Sequence, residues 1–318
     1  MVEKINTFAF AIIRDDLIER CLETLYKYTE PNFYVFIIDQ TYDGIDVEHF
    51  RNKFPDLMVI RTPLTEAHRT GNLGFAKCFN TGLALCQTKY FTTCNDDIEF
   101  IGNWWTGVLD TFEKVDKATP DRPCILVTPS SVKLPDWSVG RPKGDDFYIM
   151  PYKKEYTKED YDWLVNEEHY VNEHLTIKPD TVIDGITLYL GIGKTDLLRE
   201  VGGLDERFSS GGEDYDFCCR ANTLGYRSVG TTLSWCFHHW SMSFASAQED
   251  EKVKSLILPE FLWNNLVEIW GEERHDIWGI RCAVCKEHMR QIPDEPEYAT
   301  CSKQHEKYFI PKVMKVDL

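Results

Sequence analysis

The sequence YFTTCNDD at residues 90–97 combines a β-strand pattern with a polar turn. Tyr90 to Cys94 is a short run of apolar, aromatic and β-branched residues, which favours a buried strand. Asn95, Asp96 and Asp97 follow at once, and two carboxylates beside a buried strand are costly unless a cation lies among them. Mg²⁺ and Mn²⁺ take oxygen ligands of this kind, so the turn is a candidate metal site. The alternative is a polar turn that caps the next helix.

Three further strand candidates precede this stretch, and helical patterns alternate with them. The candidates are Thr7 to Ile13, Phe33 to Asp39 and Leu57 to Arg61. Apolar residues between Leu17 and Tyr28 recur at helical spacing, with Asp15 or Asp16 as the expected N-cap. This alternation predicts an α/β fold with a mostly parallel sheet and helices on both faces, in which ligands bind beyond the carboxyl ends of the strands.

The regular pattern stops at Pro129 and resumes near Asp180. Residues 129–180 indicate a long insertion, a lid or acceptor region with one helix around Glu159 to Glu167. A strand-like run from Ile186 to Ile192, a short helix and a helix that opens at Glu213 follow. We therefore expect residues 1–245 to form the α/β domain and residues 246–318 to form a C-terminal helical and metal-binding appendage.

A second acidic cluster, GGEDYD, occupies residues 211–216. Its two glycines let the backbone approach a ligand closely, and its three carboxylates lie at the predicted start of a helix. The alternative is that these carboxylates favour the helix N-terminus through the helix dipole. His238 and His239 end an apolar strand; one histidine there would more often be a structural hydrogen-bonding group, but two adjacent ones favour metal binding.

A set of motifs occurs in a fixed order along the chain. The motifs are Ile38-Asp39, Asn72-Leu73-Gly74-Phe75-Ala76, Asn80-Thr81-Gly82-Leu83, Asn95-Asp96-Asp97, Gly202-Gly203-Leu204-Asp205-Glu206-Arg207-Phe208, Glu213-Asp214-Tyr215-Asp216 and His238-His239. This set, over about residues 5 to 245, resembles glycosyltransferase family 2. The resemblance implies the GT-A fold, with a Rossmann-like nucleotide-binding sheet. It also implies inverting transfer of a sugar from a UDP-, GDP- or dTDP-linked donor to the hydroxyl of a saccharide, lipid-linked or other small acceptor.

The resemblance further implies where the donor nucleotide binds. Asp39 would bind the base or the ribose, and Asn72 and Gly74 would line the same pocket. The chain departs from the family pattern at Gln40, where a second aspartate often follows Asp39. This departure leaves the identity of the base open.

The resemblance assigns the metal and the base to the two acidic clusters. Asp97 would bind the divalent cation, Mn²⁺ or Mg²⁺, that bridges the donor diphosphate, and Asn95 and Asp96 would support the ribose or the metal. His238 or His239 would complete the coordination.

Asp214 falls at the family's catalytic-base position, where it would take the proton of the acceptor hydroxyl. Glu213 is the second choice. A non-catalytic sugar-nucleotide or carbohydrate binding protein is an alternative, but such a protein would have no need for both acidic clusters together with the histidines.

The C-terminal region carries Cys282-Ala-Val-Cys285 and Cys301-Ser-Lys-Gln-His305. This C-x2-C, x15, C-x3-H spacing suits one tetrahedral zinc ion, with His288 as a possible substitute ligand. The alternative is a set of incidental thiols. A closed four-ligand site would be structural and would take no part in catalysis.

The formal net charge of −17 disfavours nucleic acid as a partner. A glycosyltransferase that acts on a modified DNA base remains an alternative, with a local basic surface from Lys133, Arg141, Lys143, Lys153 and Lys154. Most of the eleven cysteines lie inside apolar patterns, which favours reduced thiols. No transmembrane segment is expected, and the N-terminus lacks a secretory cleavage site, so we expect a cytoplasmic protein.

Overall fold

The computed structural model describes most of the predicted α/β region and parts of the C-terminal region. The described residues are 3–30, 32–62, 72–102, 104–132, 171–172, 175–176, 182–184, 186–208, 211–239, 269–270, 275–276, 279–282, 284–310 and 312–313. The helix predicted around Glu159 to Glu167, and most of the predicted insertion, lie outside these residues.

Short strands and helices alternate along the described chain. The strands are β1 (Asn6–Ile12), β2 (Phe33–Asp39), β3 (Leu57–Arg61), β4 (Tyr90–Cys94), β5 (Ile98–Phe100), β6 (Cys124–Val132), β7 (Val171–Asn172), β8 (Leu175–Thr176), β9 (Val182–Asp184), β10 (Leu190–Lys194), β11 (Arg227–His238), β12 (His275–Asp276), β13 (Gly279–Ile280), β14 (Arg290–Ile292), β15 (Glu295–Thr300) and β16 (Lys307–Phe309). The helices are α1 (Ile18–Tyr28), α2 (Val47–Lys53), α3 (Phe75–Leu85), α4 (Trp104–Ala118), α5 (Thr195–Val201) and α6 (Glu213–Thr223). None of these described helices combines the length and the hydropathy that a membrane span requires.

One mixed sheet organises the α/β region. Its strands lie in the order β3-β2-β1-β4-β10-β6-β11-β5, and β9 pairs with the first half of β11. Strands β1 to β4 are parallel to one another, and β6 is parallel to β11. Because β10 runs antiparallel to both β4 and β6, the strands β4, β6 and β11 point the same way. The carboxyl ends of β1, β2, β4 and β11 therefore lie at one edge of the sheet.

The four strands predicted before residue 97 are confirmed, with bounds that agree to within one residue. The strand predicted from Ile186 begins later, at Leu190, because Leu188 and Tyr189 form a turn. The prediction that Asp15 or Asp16 caps α1 is wrong. Leu17 occupies the cap position without a side-chain bond, while Asp16 forms an ion pair with Arg14.

The alternation of side chains along β1 fills two cores on opposite faces of the sheet. Phe8, Phe10 and Ile12 are fully buried in the apolar cluster that packs against α1 and α4. Ala9 points the other way, into a second cluster with apolar residues of α3, α5 and α6. Helices therefore cover both faces, as the sequence predicts.

The C-terminal strands β14, β15 and β16 form a small antiparallel sheet that packs against α6. A third apolar cluster joins the two parts, and its buried members are Phe208, Cys219, Trp270, Cys282, Met289, Ala299 and Cys301. Arg290 Nη1 also donates a hydrogen bond to Asn222 Oδ1 at 2.5 Å. The described C-terminal residues thus share a core with the α/β region.

Gly107 lies where α4 crosses β11 at close range. A Cβ built on Gly107 would lie 1.9 Å from the carbonyl oxygen of Leu233. Glycine to alanine inside a helix ordinarily stabilises by about 1 kcal/mol. Here the methyl group must displace the backbone of β11, so we expect Gly107→Ala to lower the free energy of unfolding by about 1–3 kcal/mol in urea denaturation.

Gly102→Ala is the matched control, because no atom lies within 4 Å of a Cβ built there. Its free energy of unfolding should change by less than about 0.5 kcal/mol. A Gly107→Ala protein as stable as the wild type would contradict the close packing of α4 on β11.

Candidate active site

Asp39 ends β2 with a buried carboxylate that orders the following loop. Its Oδ1 accepts hydrogen bonds from the backbone N–H of Thr41 at 2.9 Å and from the Thr41 hydroxyl at 2.7 Å. Its Oδ2 accepts the N–H of Ile45 at 3.1 Å. Arg61, at the end of β3, places Nη1 2.9 Å from Asp39 Oδ1. Asp39 therefore fixes the shape of the loop at this edge of the sheet.

The turn from Asn72 to Gly74 is bonded to the same edge. The side-chain oxygen of Gln40 accepts the N–H of Leu73 at 2.6 Å, and Asn72 Oδ1 accepts the N–H of Gly74 at 2.9 Å. The side chain of Gln40 thus connects the end of β2 to the turn before α3. The structure brings Asp39, Asn72 and Gly74 into one region, and their role in nucleotide binding stays a prediction.

The turn formed by Asn95, Asp96 and Asp97 lies beside the segment that enters β10. The backbone N–H of Asn95 donates to the carbonyl oxygen of Tyr189 at 2.8 Å. The side chain of Asp96 is buried, and this burial, followed by the charge of Asp97, raises the pKa of Asp96 to about 8. A bound cation would relieve the cost of ionising a carboxyl group in this place.

His238, the last residue of β11, faces this turn. Its Nε2 lies 3.2 Å from Asp97 Oδ1, and its ring stacks on Tyr189 with the centroids 4.8 Å apart. Burial alone would raise the pKa of Asp97, but the contact with His238 and the charges of His238 and His239 lower it. Asp97 Oδ1 accepts no hydrogen bond of ordinary geometry from the described residues. A carboxylate oxygen and an imidazole nitrogen therefore face each other, as two ligands of one cation can.

His239 faces the carboxylate of Glu99 instead of that of Asp97. Its Nε2 lies 3.1 Å from Glu99 Oε1, and Arg20 Nη2 lies 3.0 Å from Glu99 Oε2. The backbone N–H of His239 donates to the carbonyl oxygen of Asp97 at 3.0 Å. The sequence could not distinguish the two histidines, and the structure places His238 rather than His239 against the carboxylate of Asp97.

Arg14 also belongs to this edge, although no motif of the sequence indicated a role for it. It follows β1 and forms an ion pair with Asp16. Burial alone would lower the pKa of Arg14, but Asp16, followed by the charges of Asp96 and Asp97, raises it. The sequence signal for Arg14 was its position directly after β1, because the carboxyl end of β1 lies at the site.

Helix α6 begins with Glu213 and Asp214, directly after two glycines. Gly211 and Gly212 have φ angles of 90° and 87°, a backbone conformation that other residues rarely adopt. Glu213 Oε2 is buried without a hydrogen-bond partner among the described residues. Burial, followed by the charge of Asp214, raises the pKa of Glu213 to about 7. Burial also raises the pKa of Asp214, whose Oδ1 accepts the N–H of Tyr215 at 2.9 Å.

Asp216, the third carboxylate of this cluster, holds the helix in place. Its Oδ2 accepts from Arg220 Nε at 2.8 Å, and its Oδ1 accepts from Trp270 Nε1 at 2.9 Å. Arg220 Nη1 in turn donates to the carbonyl oxygens of Val201 and Gly203 at 2.9 Å each. Asp216 is therefore structural, which leaves Glu213 and Asp214 as the candidates for chemistry in this cluster.

One short segment packs near both α6 and the turn that follows β4. Leu188 lies in the same buried apolar cluster as Phe217 of α6. The next residue, Tyr189, accepts the N–H of Asn95 and stacks on His238. The entry to β10 therefore lies between α6 and the turn that follows β4.

Cys282, Cys285, Cys301 and His305 come together in the C-terminal region, as their spacing predicts. Each offers one ligand atom, and these atoms all lie within 4.8 Å of one another. The backbone N–H of His305 donates to Cys301 Sγ and lowers the pKa of Cys301, which favours the metal-binding thiolate. Among the described residues, this group (the Cys3His group) includes His305 rather than His288. Its donor set fits a tetrahedral zinc ion.

The family model described as Glycosyl transferase family 2 matches residues 12–169. The match includes Asp39, the turn from Asn72 to Gly74 and the turn that follows β4, whereas α6 and the two histidines lie beyond it. No curated protein matches the chain.

Solved structures of glycosyltransferases resemble the fold. The crystal structure of GalNAc-T7 with UDP, GalNAc and Mn²⁺ has a TM-score of 0.50 and 14% identity, over 85% of this chain and 49% of that chain. The mannosyltransferase PcManGT from Pyrobaculum calidifontis, in complex with GDP-Man and Mn²⁺, has a TM-score of 0.45 and 17% identity, over 78% and 61%. TarS 1-349 from S. aureus has a TM-score of 0.44 and 16% identity, over 82% and 67%. The chain thus spans about half to two thirds of the length of these structures.

The likeness to these structures concerns the fold, and the family match concerns the sequence. A mostly parallel sheet with helices on both faces is the arrangement of the GT-A fold. The chain belongs to glycosyl transferase family 2.

Proposed function

We propose that the enzyme transfers a sugar from a nucleoside diphosphate donor to an acceptor hydroxyl, with inversion at the anomeric carbon. The observation that carries this proposal is the contact of Asp97 with His238, at the edge where β1, β2, β4 and β11 end. A carboxylate oxygen without an ordinary hydrogen bond in the described chain, facing an imidazole, supports a site for a cation and the diphosphate beside it.

Asp97 and His238 would hold a divalent cation, with Asn95 and Asp96 supporting it. A mixed oxygen and nitrogen donor pair suits Mn²⁺ better than Mg²⁺, which prefers oxygen ligands throughout. Bound there, the cation would neutralise charge on the departing nucleoside diphosphate. His239 is proposed as a supporting residue rather than a ligand, because its Nε2 lies against Glu99.

The nucleotide would bind over the loop that Asp39 orders, with Asn72 and Gly74 on the same side. Arg14 would add positive charge where the diphosphate meets the carboxyl end of β1. The solved structure of GalNAc-T7 contains UDP and Mn²⁺, the classes of ligand that we propose here. UDP-, GDP- and dTDP-linked sugars all fit the proposal.

Asp214 would accept the proton of the acceptor hydroxyl as that oxygen attacks the anomeric carbon, and Glu213 is the second choice. Burial raises the pKa of both carboxyl groups, and a carboxylate with a raised pKa is a stronger base. Attack from the face opposite the leaving diphosphate inverts the anomeric centre.

The proposed acceptor is a saccharide or another small or lipid-linked hydroxyl compound. The net charge of −17 repels a polyanion such as DNA. The residues that would supply a basic surface for a modified DNA base lie outside the described residues; they are Lys133, Arg141, Lys143, Lys153 and Lys154.

The Cys3His group would bind one structural zinc ion. All four ligands belong to the protein, which leaves no open coordination position for a substrate. The zinc would hold the C-terminal sheet together and take no part in the transfer.

Loss of the metal ligand or the base should abolish activity. We expect release of nucleoside diphosphate from one sugar nucleotide of a panel, with Mn²⁺ present. Asp97→Ala and Asp214→Asn should each lower kcat by about 100-fold or more. Asp110→Asn, a change of an exposed aspartate on α4, is the control and should leave kcat unchanged. Wild-type turnover by Asp214→Asn, with Glu213→Gln inactive, would transfer the role of base to Glu213.

Zinc should be present at one ion per chain in the purified protein. Cys301→Ser or His305→Ala should lose this zinc and lower the melting temperature, because the ligands lie at the border of a buried apolar cluster. Cys78→Ser, which changes a buried thiol of α3, should keep the zinc. Metal analysis and thermal unfolding measure both quantities, and a zinc-free protein of full stability would refute the structural site.

The stability of Glu213→Gln relative to the wild type should depend on pH. The pKa of Glu213 rises from 4.5 to about 7 on folding, so the folded state binds the proton more tightly than the unfolded state. The resulting stabilisation is complete below pH 4.5 and is lost as the pH rises through about 7. Glu213→Gln should therefore melt about 2–6 °C above the wild type at pH 9, with the gap shrinking toward pH 5.

Thermal unfolding followed by circular dichroism, in metal-free buffer, measures this gap. Glu113→Gln, an exposed change on α4, is the control and should show a gap that does not vary with pH. A constant gap for Glu213→Gln would show that this carboxyl group is not held in a buried place.

A further inference from the structure

The first turn of α6 depends on contacts made further along the helix. Gly211 and Gly212 precede it in a left-handed conformation, and no side chain caps its N-terminus. The described hydrogen bond of the Asp214 carboxylate is to the N–H of the next residue, which does not fix the helix against the rest of the protein. The position of the proposed base therefore follows the position of α6 itself.

The buried pair of Asp216 and Arg220 attaches α6 to its neighbours. Arg220 holds the carbonyl oxygens of Val201 and Gly203, at the end of α5 and the turn that follows. Asp216 uses one carboxylate oxygen for Arg220 and the other for the indole N–H of Trp270. Without Trp270, Asp216 Oδ1 would lose a charge-assisted hydrogen bond in a buried place.

Trp270 is itself held by the C-terminal sheet. Its side chain is fully buried in the cluster that contains Cys282 and Cys301, two members of the Cys3His group. The hydroxyl of Tyr308, in β16, donates to the carbonyl oxygen of Trp270 at 2.7 Å. A continuous path of contacts thus runs from the Cys3His group through Trp270 to Asp216, two residues beyond Asp214.

We propose that Trp270 is a positioning residue of the transfer reaction, which holds the base-bearing turn of α6 in place through Asp216. The C-terminal region then positions the base, in addition to sharing an apolar core with the α/β region. This inference rests on the proposed role of Asp214. It assigns a function to a residue outside the proposed donor and cation sites.

The test is Trp270→Phe in the full-length protein, which keeps an aromatic ring and removes the N–H. We expect kcat to fall about 10-fold, because a shift of the base by a fraction of an ångström misaligns the proton transfer. The KM for the donor and the zinc content should stay at wild-type values, since the contacts at the ends of β2 and β4 are intact.

Trp104→Phe is the matched control. Trp104 is also fully buried, and its Nε1 donates to Thr29 Oγ1 at 2.9 Å, the same distance as from Trp270 to Asp216. Its loss should lower the melting temperature without lowering kcat. An equal fall of kcat in both variants would mean that general destabilisation causes the effect, and would overturn the proposal.

Tyr308→Phe provides a milder second variant, which is informative even if Trp270→Phe does not fold. It removes one bond to Trp270 and should lower kcat about 2–5-fold at unchanged donor KM. Wild-type kcat in Tyr308→Phe, or in a folded Trp270→Phe, overturns the positioning role. Asp214→Asn, measured alongside, separates the outcomes: if it alone is inactive, the proposed function stands while the role of Trp270 fails, and if it is fully active, the assignment of the base fails.

Discussion

The shared direction of β1, β2, β4 and β11 is the constraint on which the site depends. Asn95 and His238 are separated by 143 residues, and they meet because the antiparallel strand β10 lets β6 and β11 regain the direction of β4. β5 then leaves the acidic turn and pairs with the last residues of β11. The turn is thus held between two strands of one sheet, and the pairing of His238 with Ile98 keeps Asp97 close to His238.

Two sets of carboxylates in the described chain differ in their partners. Asp39, Glu99 and Asp216 each lie against an arginine, so the cost of burial is offset by an ion pair. Asp96 is buried and Glu213 is half-buried, neither forms an ion pair with an arginine in the described chain, and desolvation raises the pKa of both. Groups with raised pKa values gather where proteins bind cations or move protons. The second set marks the two places where we propose chemistry, at the sheet edge and at the start of α6.

Much of this arrangement could be predicted from local pattern. The first four strands follow from runs of apolar residues, and the carboxylates after β4 follow from the order of the motifs. The spacing of Cys282, Cys285, Cys301 and His305 was enough to predict that their ligand atoms come together.

Contacts between distant residues could not be predicted. Adjacent residues of a strand point to opposite faces, so the sequence did not tell whether His238 or His239 meets Asp97. Asp216 resembled Glu213 and Asp214 in the sequence, since its partner Trp270 is 54 residues away. For the same reason, the packing of the C-terminal sheet on α6 through Phe208 and Cys219 had no local signal.

The most direct test of the proposed site is a crystal structure with Mn²⁺ and a nucleoside diphosphate, in which anomalous scattering locates the manganese. We expect one manganese peak coordinated directly by Asp97 and His238, with the diphosphate on the same ion and the nucleoside over the Asp39 loop. Manganese bound instead between Glu99 and His239, or a diphosphate bound away from the carboxyl ends of β2 and β4, would contradict it.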